Sequence, residues 1–550
     1  MANYSTASIP SPSAPTWQNW SGNLVHQPAS DGVPYYFTPT NLTELKGVIS
    51  TVAQTAGATL RVSGQRHSQP PLVADDNRSA VPPKTTSYIV DMSCYADLGT
   101  NGNQRLVLGP GPNQVTVNTG VREDELDAFL TSNNLMMKTV TAGGFFSLGG
   151  MTAVDVHGAT LDAPIFAETV SAFNLLRADG TLVTINAQSP KVGGWSPLQF
   201  ARVSFGGLGL VTSIVLDVIA RPFANTLQGG TQRFGLKDKS AFVQTYKTLL
   251  ATHTRVESFF TPYATDWIWI GAKNFMILWW DVINNPSPQT PNIPTAPPNA
   301  CMLAGKQPPQ YGAPYLSGIS QFGAVLAESS QYDTVAVNPV AGPAVIAAVG
   351  LDVIESDGTA ANLAHSDLWL NGAVAVIFMS YFIPLPDLSD AGLGKVWDSM
   401  DVVSQIVLPN GNFHIAAPME FRFVKGGDSA MSGAYADNSN TWFVNQDLIA
   451  FVKPNLQASQ YPAELLQFFA DVERQWVNMG GFPHNGKMYG FYDPTAQSGT
   501  YSASGPFNPN FLAALGKRRT ARQQAFNAYR KSVDPNGLFY NDFLKKLLEP

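Results

Sequence analysis

One acid–base pair and one histidine carry the first chemical signal in this 550-residue chain. In Pro418-Met-Glu-Phe-Arg422 the side chains at 420 and 422 share a face if the segment is a strand, because the side-chain period of a strand is two. Met419 and Phe421 then take the opposite, apolar face. Glu420 beside Arg422 can form an ordinary edge-strand ion pair, or can hold and polarise a substrate hydroxyl. In RVSGQRHSQPPL, residues 61–72, His67 is one of seven histidines and follows a glycine turn at a strand end. Five glycines lie between Gly143 and Gly158, and three more in Ser204-Phe-Gly-Gly-Leu-Gly-Leu210. Such density lets backbone approach a ligand closely and present N–H groups to it. No cluster has Gly-x-Gly-x-x-Gly spacing at a helix start, and no Walker Lys-Ser/Thr follows, so neither a standard nicotinamide fold nor a P-loop is expected.

These loops need a frame of helices and strands. Asn41-Leu-Thr-Glu44 reads as a helix N-cap with an acid three residues on, followed at helical spacing by Leu42, Leu45, Val48, Ile49, Val52 and Ala53, with Gly57 as the stop. Strands are expected at 58–62, 87–92, 105–108 and 114–119, and a second amphipathic helix at 124–133 with Leu126, Phe129 and Leu130 inward. A hairpin at 170–177 and 181–185 turns on Ala178-Asp-Gly180, and VTSIVLDVI at 211–219 is strand-like. Beyond residue 222 the texture changes. Residues 283–300 are a Pro/Asn-rich surface loop, and aromatic residues crowd SFFTPYATDWIWI and NFMILWWD. That crowding fits a core or an apolar substrate cavity, and the two are compatible. The tail, 521–546, reads as an amphipathic helix, a DPNGLF turn and a closing FLKKLL segment.

Apolar residues make up 44% and charged residues 13%, so the chain must bury large cores; its length suggests two or three domains. A formal net charge of −7 and the lack of a dense basic run, Lys517-Arg518-Arg519 being a solvated helix face, argue against a nucleic-acid partner. Cys94 and Cys301, far apart in sequence, make neither a disulfide framework nor a zinc site and read as isolated thiols. The opening MANYSTASIPSPSAPTW lacks the basic and apolar regions of a signal peptide as it stands; localisation is left open. No run of eighteen apolar residues exists, and MILWWDVI is interrupted by Asp281, so no transmembrane segment is expected.

The order of parts resembles flavoproteins of the vanillyl-alcohol oxidase / p-cresol methylhydroxylase fold. Their first Gly-x-x-His-Ser-like loop corresponds to Gly64-Gln-Arg-His67-Ser68, their second glycine segment to Gly149-Gly150…Val156-His157-Gly158, and their third to Phe205-Gly206-Gly207-Leu-Gly209. The resemblance implies an α+β chain: a lead-in at 1–19, a two-lobed PCMH-type FAD-binding domain at 20–222, a substrate-binding cap at 223–495 with a large antiparallel sheet flanked by helices, and a segment at 496–550 returning to the FAD domain. It implies FAD joined covalently through His67, with no second link because no cysteine lies in the stretch just before Gly149-Gly150. The remaining cofactor contacts it implies are Gly64, Gln65, Arg66, Ser68, Thr141, Gly143, Gly144, Ser147, Gly149, Gly150, Gly158, Gly207, Gly209 and Asn541, with His157 beside the pyrophosphate.

The substrate side resembles two branches of that family. Sugar-lactone and alditol oxidases carry a Pro-His-Trp-x-Lys motif with the lysine by the flavin; here Phe482-Pro-His-Asn-Gly-Lys487 keeps Lys487 and puts Asn485 for the tryptophan. The whole chain is most similar to the covalent-flavin (type II) cholesterol oxidases, through Glu420 and Arg422, Asn445 in WFVNQD, GKQPPQYGAPY and the closing Asp534-Pro pattern. That group's further active-site Glu has no clear match, Asp266 being nearest; Trp267 and Trp279 are expected to line the pocket with it. The resemblance implies an alcohol oxidase, with Glu420 as base or hydroxyl orienter and Arg422, Lys487 and Asn445 in support. The substrate would be a small-molecule alcohol, a bulky apolar one such as a 3-hydroxysterol or else a polyol, sugar or aldonolactone. Dioxygen would be the acceptor, a dehydrogenase remaining the alternative; in the aldonolactone branch a Gly or Ala at the position of Thr141 decides that. A monomer or small homo-oligomer is expected.

Overall fold

The computed structural model describes residues 13–221, 227–263, 273–282, 301, 327, 329–332, 341–360, 370, 376–407, 413–438, 440–453, 456–496, 501–502 and 505–550. Helices and sheets are mixed throughout, and two large sheets, both antiparallel, dominate.

The first segment builds a small parallel sheet, Tyr36–Phe37 beside Ser87–Asp91 beside Thr59–Ser63. The helix Leu42–Val52 forms where the capping pattern places it: the Asn41 side chain accepts Glu44 N–H at 3.0 Å, and Glu44 reaches back to Thr40 N–H at 2.7 Å. Strand Thr59–Ser63 ends directly in the loop that carries His67.

The six-stranded sheet is organised by the long strand Leu210–Ala220, which pairs with Val170–Leu176 on one side and with Gln114–Asn118 on the other. Its apolar side chains Ile214, Leu216 and Val218 are buried at alternate positions. The expected hairpin is present, Val170–Leu176 with Leu182–Asn186, turning at Gly180 with φ 81°. The second helix spans Glu123–Ser132, one residue earlier than its periodicity suggests.

The seven-stranded sheet runs, in order, Leu227–Phe234, Phe275–Val282, Arg255–Phe260, Met419–Lys425, Trp442–Ala450, Ile377–Leu385 and Phe482–Pro483. One face carries aromatics against helices. Tyr246 of helix Lys239–Thr252 lies 5.5 Å from Phe421, and Trp397 of helix Asp390–Val407 lies 6.3 Å from Phe275, centroid to centroid. Each of the fully buried rings here, Tyr246, Phe421 and Phe275, contributes about 1.5–3 kcal/mol. Because side chains alternate, the same strands send Glu257, Glu420, Arg422, Asn445 and Asp447 to the opposite face. The packed aromatic face thus fixes where the charged face points.

The tail is three helices, Pro509–Arg518, Thr520–Val533 and Asp542–Leu548. The first of these was not expected; it starts on an Asn508 cap with Pro509 in its first turn. The DPNGLF turn follows Val533, with the Asp534 carboxylate accepting N–H from Leu538 at 2.9 Å and Phe539 at 2.8 Å. Leu60 N–H then donates to Leu538 O at 2.7 Å, joining the tail to strand Thr59–Ser63.

The two cysteines are not isolated thiols. Cys94 and Cys301 form a disulfide across a sequence separation of 207, with Cα atoms 4.4 Å apart. Separation along the chain sets the loop being closed, not the distance in the fold. The sequence window 283–300 lies outside the described residues. Closing so long a loop restricts the unfolded chain by about 5 kcal/mol at most in the chain-entropy picture. The native protein should therefore show no titratable thiol, two after reduction in denaturant, and a lower melting temperature in Cys94→Ser, read by thiol titration and calorimetry. One free thiol per cysteine in the native protein would contradict the bond.

Candidate active site

The charged face of the seven-stranded sheet is a compact cluster. Register sets Glu420 opposite both Phe259 and Asp447, Arg422 opposite Asn445, and Ser380 opposite Asp447. Arg422 Nη2 donates to Glu257 Oε1 at 2.6 Å and also contacts Glu420 Oε1. Its Nη1 donates to His157 O at 3.3 Å, tying the sheet to the glycine-rich segment. Burial raises the Glu420 carboxyl well above the usual carboxylate range; Arg422 opposes this, while Glu257 and Asp447 add to it. Asp447 is likewise raised, mainly by burial. For Arg422, burial acts downward but the three carboxylates outweigh it and hold the guanidinium charged. Lys487 is lowered by burial, against the pull of Asp447 and Glu420, and sits 3.8 Å above the centroid of the Phe378 ring. Three carboxylates thus face two cations in a poorly solvated setting.

Opposite the cluster stands the His67 loop. Gly64 is required by close approach: a Cβ there would lie 2.0 Å from Ser147 Oγ. Arg66 adopts φ 63°, and His67 follows, flanked by Trp20 at 4.8 Å and Phe145 at 5.5 Å in near-parallel stacks and by Phe146 edge-on at 4.6 Å. Burial and the Lys487 charge push the imidazole well below its ordinary pKa, so it is neutral. Gln69 fastens this loop to the sheet: its Nε2 donates to Val376 O at 2.9 Å, and its Oε1 accepts Phe378 N–H at 3.0 Å.

The turn bearing Lys487 is also held from below. Asp155 accepts Asn485 N–H at 2.8 Å, the Asn485 amide and Gly433 N–H at 3.0 Å. His484 accepts Gly486 N–H on Nδ1 at 3.0 Å, which leaves the ring proton on Nε2, and stacks on Phe382 at 5.8 Å. Burial and the Lys487 charge keep His484 neutral; burial and Arg422 push His157 down to about 3.

His67, Phe145, Phe146, His157, Phe378, Glu420, Arg422, Asp447, His484 and Lys487 line one cavity. Of the expected residues, Gly64, Gln65, Arg66, His67, Ser68, Thr141, Gly143, Ser147, Gly149, Gly150, His157, Gly209, Glu420, Arg422 and Lys487 line it. Thr141 spends its hydroxyl and N–H on the Glu123 carboxylate. Five of the expected cofactor and catalytic residues do not line it. Gly158 packs on backbone, since a Cβ would lie 2.0 Å from Val140 O; Gly207 packs against Ser204; Gly144 serves a turn with φ 65°. Asn541 caps the last helix and donates to Pro71 O at 2.9 Å. Asn445 lies behind the cavity wall, donating to Ser380 Oγ at 3.0 Å and hydrogen-bonding His157.

On the substrate side, Asp266 and Trp267 lie outside the described residues. Trp279 is a correction: it stacks on His253 at 4.3 Å, on the strand face that holds Ile277 and Phe275. Its neighbour Trp280 takes the other face and is buried with Phe259, Met276, Leu278 and Leu351, against Leu370 of the cavity wall. The second glutamate on Arg422 is Glu257, which the sequence reading did not single out, as it did not single out Asp447. A period of two from Asn445 points to Asp447; nothing local marks Glu257 in RVESFF.

The lining fits FAD. Among the described lining residues the acids, Glu420 and Asp447, both come from the seven-stranded sheet, whereas the glycine loops bring much bare backbone. That division suits a diphosphate along the loops and a flat apolar ring against Phe145, Phe146 and Phe378.

Comparison with known proteins agrees with this geometry. Residues 352–547 match the family described as D-arabinono-1,4-lactone oxidase. L-gulono-1,4-lactone dehydrogenase of Mycobacterium tuberculosis is 22% identical over 540 residues, 98% of this chain and 100% of that protein. Mouse L-gulonolactone oxidase is 23% identical over 277 residues, 48% of this chain and only 56% of its own length. Among solved structures, a solvent-stable cholesterol oxidase superposes with a TM-score of 0.69 at 16% identity, covering 100% of this chain and 99% of its own. Cholesterol oxidase from B. sterolicum gives 0.67 at 14% identity, covering 97% and 96%. By its matched segment and by its fold, the chain is an FAD-dependent oxidoreductase related to the aldonolactone oxidases and built on the cholesterol oxidase fold.

Proposed function

We propose that the chain is an alcohol oxidase that holds FAD covalently through His67 and acts on a bulky apolar secondary alcohol, of which a 3-hydroxysterol is the type, with dioxygen as acceptor. The carrying observation is the juxtaposition of the Glu257–Glu420–Arg422–Asp447 cluster with Lys487 at a cavity whose nearby walls, Leu370, Phe378, Phe145 and Phe146, are apolar. A buried apolar cluster around Trp280 and Met276 backs those walls. FAD held along this lining would supply the hydride acceptor for the carbinol carbon.

The protein's own groups supply the rest. Glu420 is 14% exposed, and it accepts the hydroxyl proton. Arg422 orients that carboxylate and opposes negative charge on the substrate oxygen as the C–H bond breaks. Lys487 offsets the negative charge gained by the reduced ring. Neutral His67 offers a nucleophilic nitrogen for attachment, and the three rings around it fix its plane. Asn445 and His484 support the cluster from behind and beside it. In this reading residues 20–222 with the tail hold the cofactor, and residues 223–495 bind substrate.

A second reading, an aldonolactone or polyol oxidase or dehydrogenase, is favoured by the match over residues 352–547 and by Lys487 following Pro483-His484. Peroxide release from a panel of 3-hydroxysterols, aldonolactones and alditols separates the two. Turnover confined to lactones would end the sterol reading, and anaerobic bleaching without peroxide in air would mark a dehydrogenase.

Acid precipitation should leave yellow flavin in the wild-type pellet and none in the His67→Ala pellet; colour retained by the variant would remove His67 from the link. Glu420→Gln should keep its flavin and lose about 10²–10⁴-fold in turnover. The ionised carboxylate is the active form and its pKa is raised, so kcat/KM should climb with pH through a midpoint above the ordinary carboxylate range. A flat profile, or an unchanged rate in Glu420→Gln, would dismiss it as the base.

A further inference from the structure

One residue before His67 the backbone turns left-handed: Arg66 has φ 63°. Glycine takes that conformation freely; a residue with a Cβ does not. The Arg66 side chain is itself anchored. Its Nη2 donates to Tyr36 Oη at 2.9 Å, and the Tyr36 hydroxyl donates to Asp91 Oδ2 at 2.6 Å. Asp91 is fixed in turn by Ser93 N–H at 2.9 Å. Tyr36 and Asp91 sit on paired strands of the small parallel sheet, and the third strand of that sheet, Thr59–Ser63, launches the loop. The guanidinium therefore folds back onto the sheet its own loop has just left. Meanwhile the Arg66 carbonyl accepts Trp20 N–H at 2.8 Å, and the Trp20 ring stacks on His67. One residue ties the histidine's backbone to the sheet and to the histidine's own stacking partner.

We propose that Arg66 is a positioning residue for flavin attachment, holding His67 in place through the relay Arg66–Tyr36–Asp91. The proposal rests on the covalent reading given above. In the attachment an imidazole nitrogen replaces one hydrogen of the flavin 8α-methyl group, forming an N–C bond. The two hydrogens displaced, one from the methyl carbon and one from the ring nitrogen, leave as two protons and two electrons, which dioxygen takes to become hydrogen peroxide. Such a bond forms fast only if the nitrogen is already aimed at the carbon. The relay supplies that aim by making a left-handed arginine the stable form of the loop.

The test compares wild type, Arg66→Ala, Arg66→Gly and Tyr36→Phe, each produced as holoprotein. At intervals after induction, total bound flavin and the fraction of it that stays in the acid pellet are both measured. Arg66→Ala keeps the Cβ and loses the anchor, so the covalent fraction of the flavin it binds should build up about tenfold more slowly. Arg66→Gly loses the anchor but takes φ 63° without strain, so it should recover most of the rate. Tyr36→Phe should fall between alanine and wild type. Attachment in Arg66→Ala as fast as in wild type overturns the proposal. So does an equal loss in the alanine and glycine variants with total flavin reduced, which would make the guanidinium a flavin ligand instead. If Arg66→Ala does not fold, Tyr36→Phe decides, and a wild-type rate there is fatal to the relay. Wild-type flavin released wholly to the supernatant would instead sink the covalent reading itself.

Discussion

Five ionisable groups share one poorly solvated face: Glu257, Glu420, Asp447, Arg422 and Lys487. Burying charge is expensive, and it is tolerable only where each charge meets an opposite one in good geometry. Here the geometry comes from strand register. Antiparallel pairing puts Glu420 between Phe259 and Asp447 and sets Asn445 across from Arg422, so no long flexible segment has to deliver any carboxylate. The aromatic packing on the opposite face locks that register, because a slip of one residue would turn Phe421 and Phe423 to the charges and Glu420 to the helices. The chemistry of one face is thus enforced by the hydrophobic effect on the other.

The sheet alone makes only half a site. The other half is brought to it by single polar side chains that reach across long sequence separations. Gln69 bonds the His67 loop to the strand at 377–385, Asp155 clamps the turn at 485, and Arg422 reaches the carbonyl of His157. Each is buried and reaches a backbone partner across the gap, an arrangement that specifies one relative placement of two surfaces more sharply than apolar contact does.

What could be read in advance follows from the range of the interactions. The Glu420/Arg422 pairing, the helix at 42–52 and the hairpin at 170–186 rest on local periodicity and turn chemistry, and they stand. The glycine loops were legible as a group, yet not one by one. Gly64 and Gly158 both answer to close packing, against Ser147 and Val140, and only Gly64 also borders the cavity. Choosing Trp279 over Trp280 required knowing which face of the strand looks inward, and neighbouring strands decide that. Glu257 joins the cluster only through pairing with distant segments, and the Cys94–Cys301 bond has no local signature at all.

Arg61 lies on the strand that launches the His67 loop, and its guanidinium donates to the carbonyls of Leu72, Gly206, Phe205 and Phe539. Its strand neighbour Leu60 donates to Leu538. The wall nearest the first glycine loop is therefore backed by a residue made 478 positions after Arg61. During synthesis the strand Thr59–Ser63 must wait for Leu538 and Phe539 while several hundred further residues are made, with Arg61 held meanwhile by the carbonyls of Leu72, Phe205 and Gly206. The backing of this wall is therefore complete only once translation has passed position 539.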